Sequence, residues 1–178
     1  MSDRAAELAS QVERGTLEMI ELIDQCSDEF WRSSPDPDDP RPVGVICHHV
    51  GVSQLDNANW IRRLLKGEHI HITPELVHAA NASHAADFRN VERRQAIEVL
   101  RRSGAELAAL LRGLTEADLA KEQPLADGGS HRVDVFAEIA GRHARNHAAA
   151  IQKALQSAGP LQGGRLRSIR RGGVGRTV

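Results

Sequence analysis

Apolar residues recur at helical spacing near the start of the chain. Over residues 3–30 they follow one another at intervals of three, four or seven, with acidic side chains on the opposite face. The apolar positions are Ala5, Leu8, Val12, Met19, Ile23 and Cys26. This period matches the 3.6 residues per turn of an α-helix. The pattern predicts an amphipathic first helix over residues 3–30.

Prolines separate this segment from a second amphipathic one. The stretch WRSSPDPDDPRP, residues 31–42, contains four prolines, which lack the backbone N–H that a helix interior requires, so we expect a loop. The last of them, Pro42, suits the first turn of a second helix, predicted over residues 43–67. The inward stripe of this helix comprises Ile46, His49, Val50, Ser53, Asp56, Trp60 and Leu64.

Two further long helices are predicted in the second half of the chain. Residues 88–114 carry leucines at helical spacing with arginines between them. Residues 133–158 form the fourth segment, which ends before Gly159 and Pro160. The segment HIHIT, residues 69–73, alternates like a strand, but one short strand without a partner is not stable. We therefore expect an all-α protein without strands.

The connections between these helices are predicted to hold only short helical pieces. Thr73 and Pro74 begin a short helix over residues 75–82, which ends in a turn near Ser83. Residues 115–120 form a helical turn, capped by their first residue, before a glycine-rich loop. The chain is therefore predicted to be a four-helix bundle with a short extra helix in the second crossover.

Composition indicates the kind of core and the cellular setting. Only 3% of the residues are aromatic and none is tyrosine, so the core must consist mainly of Ala, Leu, Val and Ile, which suits close-packed helices. The N-terminal MSDRAAELAS is polar and no run of about 18 apolar residues occurs, so we expect neither a signal peptide nor a membrane span. Cys26 and Cys47 are not spaced as a ligand pair, which favours a reducing, cytoplasmic setting.

Charge is distributed unevenly along the chain. Residues 1–40 carry eleven acidic side chains and three arginines, whereas residues 161–178 carry five arginines, five glycines and no acidic residue. Glycine disfavours helix, so residues 161–178 are predicted to be a disordered basic tail and residues 1–160 the bundle domain. A basic tail alone gives little support for nucleic-acid binding, which we do not expect.

Three of the nine histidines fall on inward helix faces. His143 and His147 lie four residues apart in GRHARNHAAAIQKAL and so share an apolar face. On the second helix His49 lies on the inward stripe, whereas His48 lies about 100° away. A buried imidazole needs partners for its ring nitrogens, which a hydrogen-bonded core pair or a divalent cation would supply. Three imidazoles with an open fourth position are typical of a catalytic metal site.

The same segments carry a family resemblance. PVGVICHHVG, residues 42–51, and VFAEIAGRHARNHAAAIQKAL, residues 135–155, resemble the DinB superfamily of metal-binding four-helix bundles, which includes YfiT-like proteins and bacterial thiol-dependent transferases. The resemblance implies that His49, His143 and His147 bind a divalent ion, zinc or nickel. This chain departs from the family pattern at Asn146, where many members have histidine, and at Ala150, where a glutamine is frequent.

The resemblance also implies an activity. Family members that are enzymes activate a low-molecular-weight thiol, so we expect a metal-dependent transferase or isomerase that uses a thiol such as mycothiol or bacillithiol on a small-molecule substrate. Pairing of two copies into a homodimer is a further implication. Two alternatives stay open: a metal-dependent hydrolase, for which no general base like the Glu of HExxH is evident, and a non-enzymatic stress or interaction protein with a structural metal.

Polar neighbours of the three histidines are candidates for ligand contact. Asp56, two turns from His49 on the second helix, is the candidate catalytic residue, able to orient a ligand or accept a proton from a thiol. The alternative is that Asp56 lies at the end of the bundle, exposed to solvent. Trp60 either walls a pocket or belongs to the core. Arg142 and Asn146, next to the histidine pair, are candidates for contact with an anionic substrate.

Overall fold

The computed structural model describes residues 2–124 and 130–157. The predicted basic tail and most of the predicted glycine-rich loop lie outside these ranges. In chain order the elements are α1 (Asp3–Gln25), α2 (Asp28–Trp31), α3 (Val43–Leu65), α4 (Pro74–Asp87), α5 (Arg93–Arg112), α6 (Glu116–Leu119), β1 (Glu122–Pro124), β2 (Ser130–Arg132) and α7 (Val133–Ser157).

The four long helices form the predicted bundle. α1 packs against α5 and α7, and α3 packs against the same two helices, so that α1 lies diagonally from α3 and α5 lies diagonally from α7. α1, α5 and α7 each bury one apolar face, whereas residues 43–51 of α3 are buried on all sides. The buried residues are mainly Ala, Leu, Val and Ile, as the composition predicted. This arrangement makes α3 and α7 neighbours, and these two helices carry the histidines predicted to bind a metal.

The prediction of a single first helix over residues 3–30 is wrong. α1 ends one residue before Cys26, whose backbone is extended, and Ser27 then caps the short α2 by accepting a hydrogen bond from a backbone N–H of that helix. The break lets Trp31 turn back into the core, where its indole Nε1 donates to the carbonyl oxygen of Val91 at 3.0 Å. A serine N-cap and a buried indole together outweigh the continuous apolar pattern.

Two other helix boundaries differ from those predicted. α4 continues through Ser83, where a turn was predicted, and ends at Asp87. α5 begins at Arg93, later than the predicted residue 88, because Glu92 and Gln95 form a capping box that satisfies the free amides of its first turn. The N-cap predicted for α4 is confirmed, since the Thr73 hydroxyl accepts from a backbone N–H of the first turn.

A short hairpin joins α6 to α7, contrary to the expectation of no strands. β1 and β2 pair antiparallel, with Glu122 opposite Arg132. Each strand has only three residues, so neither shows a pattern long enough to detect, and each is stable only through its partner. HIHIT, residues 69–73, forms no strand, as predicted. No helix in the described ranges is long and apolar enough to cross a membrane.

A buried polar network ties three of the long helices together. Gln54 of α3 is only 2% exposed, and its Nε2 donates to Thr16 Oγ1 of α1 at 2.9 Å. The hydroxyl of Ser103 on α5 donates to Gln54 Oε1, also at 2.9 Å. Because buried polar groups are stable only when paired, this network specifies how α1, α3 and α5 align.

Candidate metal centre

Three imidazoles converge where α3 meets α7. His49 comes from α3, and His143 and His147 come from successive turns of α7, so their side chains point in the same direction. One ring nitrogen from each of the three lies within 4.8 Å of the others. The Nε2 atoms of His49 and His143 are 3.2 Å apart. The residues selected from the sequence are thus brought together, and His49 rather than His48 is the partner of the α7 pair.

The surroundings keep these imidazoles neutral. Burial, together with the neighbouring imidazoles and Arg41, lowers the pKa of His49 to about 3. The pKa of His147 falls to about 4 for the same reasons, burial first, and burial also lowers the pKa of His143. A metal ion binds the neutral form of imidazole, so no proton has to be displaced at neutral pH.

The nitrogen positions suit a divalent cation. Zinc binds histidine nitrogen at about 2.0–2.1 Å, so two ligands of a tetrahedral ion lie about 3.3 Å apart. The 3.2 Å separation between the His49 and His143 nitrogens is close to that value. Imidazoles from two helices form a more rigid donor set than loop residues would, because the helix backbones fix their spacing.

A second histidine pair borders the triad. His48 is buried, stacks on Phe88 with ring centroids 4.0 Å apart, and places its Nδ1 2.8 Å from Nε2 of His84. The ring of His84, on α4, lies 5.5 Å from that of His49. Sequence reasoning did not place His84 beside the triad, because the short helix over residues 75–82 was predicted to end in a turn near Ser83.

A cavity of about 770 Å³ opens beside the triad, between α3, α4 and α7. His49 and His143 are among its lining residues, and a polar stripe of Ser53, Asp56 and Asn57 continues along α3. Most of the remaining wall is apolar; it includes Val52, Trp60, Ile72, Val77, Ala80, Phe136 and Ile139. The cavity therefore combines a polar stripe with apolar walls, as small-molecule sites commonly do.

Several predicted contacts take definite positions around this cavity. Trp60 is part of its wall. Asp56 lines it from an exposed position at the rim, and partial burial raises the pKa of its carboxyl group. Arg142 and Asn146 are exposed on α7 and are not among the described lining residues.

An ion pair on the proline-rich loop lies near the imidazoles, and its two charges act in opposite directions on the pKa of His147. Arg41 donates to both carboxylate oxygens of Asp39, at 2.8 and 2.6 Å, and both side chains are partly buried. The guanidinium of Arg41 contributes to the lowered pKa values of His49, His143 and His147. Sequence reasoning assigned no role to this loop, since its only visible feature was its prolines.

Comparison with known proteins agrees with this fold. The sequence profile of the DinB superfamily matches residues 11–151. The structure of YfiT from Bacillus subtilis superimposes on this chain with a TM-score of 0.76 at 15% identity, and the match covers 89% of this chain and 90% of YfiT. YfiT is described as a probable metal-dependent hydrolase with an unusual four-helix bundle topology. None of the curated proteins matches the sequence.

A mycothiol-dependent maleylpyruvate isomerase superimposes with a TM-score of 0.66 at 16% identity. The match covers 85% of this chain and 63% of the isomerase, so this chain spans less than two thirds of that protein's length. A variant of the same isomerase gives the same TM-score. At such identities both structural likenesses concern the fold alone.

Proposed function

The chain belongs to the DinB superfamily, and on that premise we propose that it binds a divalent metal ion, zinc or nickel, through His49, His143 and His147. The observation that carries the proposal is the convergence of three neutral imidazoles from two neighbouring helices within 4.8 Å. Three protein ligands leave a coordination position for a ligand from solution, which is the arrangement of catalytic rather than structural sites.

The proposed activity is that of a metal-dependent transferase or isomerase that activates a low-molecular-weight thiol. A divalent cation held by three uncharged imidazoles keeps its full charge, and such an ion lowers the pKa of a bound thiol or water. The cavity beside His49 and His143 has room for a thiol and a small-molecule substrate. Ser53, whose hydroxyl lies 3.4 Å from His49 Nε2, and Asp56 at the rim are placed to orient them.

A metal-dependent hydrolase is the second candidate, because the YfiT structure that this chain resembles is described as one. In a hydrolase, a residue beside the metal usually accepts the proton of the attacking water. The carboxylate among the described lining residues is Asp56, seven residues from His49 and so roughly 10 Å away along the helix axis. This distance ranks the hydrolase below the thiol-dependent activity.

A thiol assay tests the proposal. Zinc-loaded and nickel-loaded protein is incubated with mycothiol, bacillithiol or glutathione and a panel of electrophiles, and thiol consumption is followed. We expect consumption above background with one of these thiols, and its loss in the His147→Ala variant. His69→Ala is the matched control, because His69 is exposed and lies away from the cavity. Equal rates in the His147→Ala variant and the wild type would remove the assigned role.

A further inference from the structure

Two buried polar atoms within residues 2–124 and 130–157 lack a hydrogen-bond partner, and both belong to residues that line the cavity. They are Oδ1 of Asn57 on α3 and Nδ1 of His84 on α4. An unpaired buried polar atom destabilises a protein, and native structures keep few of them without a functional reason. Both residues line the same cavity, where a bound ligand could supply the missing partners.

The orientation of the Asn57 amide is fixed by its neighbour one turn earlier. Its Nδ2 donates to the carbonyl oxygen of Ser53 at 2.7 Å. A flipped amide would place Oδ1 against that carbonyl, where two acceptors would face each other without a hydrogen. Oδ1 is therefore held as an acceptor, in a side chain that is only 5% exposed. Its partner has to be an N–H or O–H group.

The charges around Asn57 disfavour an anionic partner. Asp56 precedes it and also lines the cavity, whereas the described lining contains neither lysine nor arginine. Its other polar side chains at a distance from the triad are hydroxyl, amide and imidazole groups. A carboxylate or phosphate beside Asn57 would face the Asp56 carboxylate without a lysine or arginine of the described lining to compensate it. An uncharged amide or hydroxyl donor would be accepted by both Asn57 and Asp56.

Helix geometry sets the distance between this acceptor and the triad. His49, Ser53 and Asn57 are spaced four residues apart on α3 and so lie along one face. Eight residues at a rise of 1.5 Å separate His49 from Asn57 by roughly 12 Å. We infer that the cavity binds its ligand at two points: a thiolate at the imidazole triad and, about 12 Å away, an uncharged N–H or O–H group donating to Asn57 Oδ1. This inference rests on the proposed metal site and names the class of thiol that the site selects.

A matched pair of peptides tests this inference. N-acetyl-Cys-Gly-Gly-amide and the corresponding free acid differ only in the terminal group, which lies roughly 10–12 Å from the sulfur when the peptide is extended. Each is titrated into the cobalt-loaded full chain at pH 8, and the thiolate-to-cobalt absorption gives Kd. We expect the wild type to bind the amide about tenfold more tightly than the acid.

Substitutions assign that preference to particular residues. Asn57→Leu should weaken binding of the amide about tenfold and leave that of the acid within about twofold. Asn59→Leu is the matched control, on the same helix but exposed, and should change neither. Asp56→Asn, at the exposed rim, should strengthen binding of the acid, which gives a second test if Asn57→Leu does not fold.

The outcomes separate this inference from the proposed function. Cobalt absorption bands and a thiolate band with equal Kd values for the two peptides would overturn the inference and leave the metal site standing. An unchanged preference in the Asn57→Leu variant would also overturn it. If the wild type shows no cobalt bands at all, the proposed metal site fails and the inference fails with it.

Discussion

Replacing Gln54 with methionine should destabilise the bundle, although methionine is apolar and similar in size. The substitution removes two hydrogen bonds of 2.9 Å, one to Thr16 of α1 and one from Ser103 of α5. A hydrogen bond between buried neutral groups contributes about 0.5–1.5 kcal/mol to stability. The Thr16 hydroxyl still donates to a backbone carbonyl at 2.9 Å, and that of Ser103 keeps a weaker bond at 3.3 Å, so neither donor is left unpaired.

These terms set the expected magnitude. Losing both bonds without creating an unpaired donor gives a decrease of about 1–3 kcal/mol in the free energy of unfolding. For a domain of this size this corresponds to about 2–4 °C in Tm per kcal/mol. Gln54→Ala should lower stability by about 1–2 kcal/mol more, since it also leaves a cavity in a close-packed core.

Urea denaturation followed by circular dichroism measures the change, with Gln25→Met on the exposed side of α1 as the control. A double-mutant cycle between Gln54→Met and Ser103→Ala should show that the two losses are not additive. A Gln54→Met variant as stable as the Gln25→Met control, within about 0.5 kcal/mol, would refute the role given to the network.

Three further predictions concern packing, the thiols and α4. Gly51→Ala should lower stability by about 1–3 kcal/mol in the same urea assay, because an added Cβ would lie 2.7 Å from a valine methyl and 3.0 Å from a backbone nitrogen of α5. Burial raises the pKa of Cys26 to about 11 and also raises that of Cys47. Iodoacetamide should therefore label the two thiols of the native protein about a hundredfold more slowly than those of the protein unfolded in urea. Equal labelling rates would contradict the burial of the thiols. Because α4 has no buried residue, its backbone amide hydrogens should exchange with solvent faster than those of α3, as NMR can measure. Thr73→Ala should accelerate the exchange further, because it removes the N-cap of α4. Slow amide exchange of α4 in that variant would contradict this prediction.

The fold could be predicted because apolar residues recur at helical spacing along each of the long helices. In α1 and α3 the apolar period continues over 23 residues in each helix, long enough to exclude other structures. The apolar period does not determine where a helix begins or ends, and local capping residues determine it instead. Ser27 ends the first helix early and Glu92 starts α5 late, because each satisfies backbone amides with a single side chain. The hairpin was missed because three-residue strands depend on their partner rather than on local sequence.

The site was predictable to the extent that it lies on long helices. His49, His143 and His147 could be assigned to faces from spacing alone, whereas their approach across two helices depends on tertiary packing. The position of His84 next to His49 could not be predicted from spacing, because it depends on where α4 ends and on how α4 packs beside the triad. Arg41 lies on a loop whose path no periodicity describes.

Elemental analysis of protein purified without a metal-affinity tag tests the metal site most directly. We predict about one equivalent of zinc or nickel per chain, and a rise in Tm when metal is added to chelator-treated protein. The His147→Ala variant should lose both, and His69→Ala should keep both. Less than about a tenth of an equivalent of any transition metal in the wild type, with a Tm that neither zinc nor nickel changes, would contradict the assignment of His49, His143 and His147 as metal ligands.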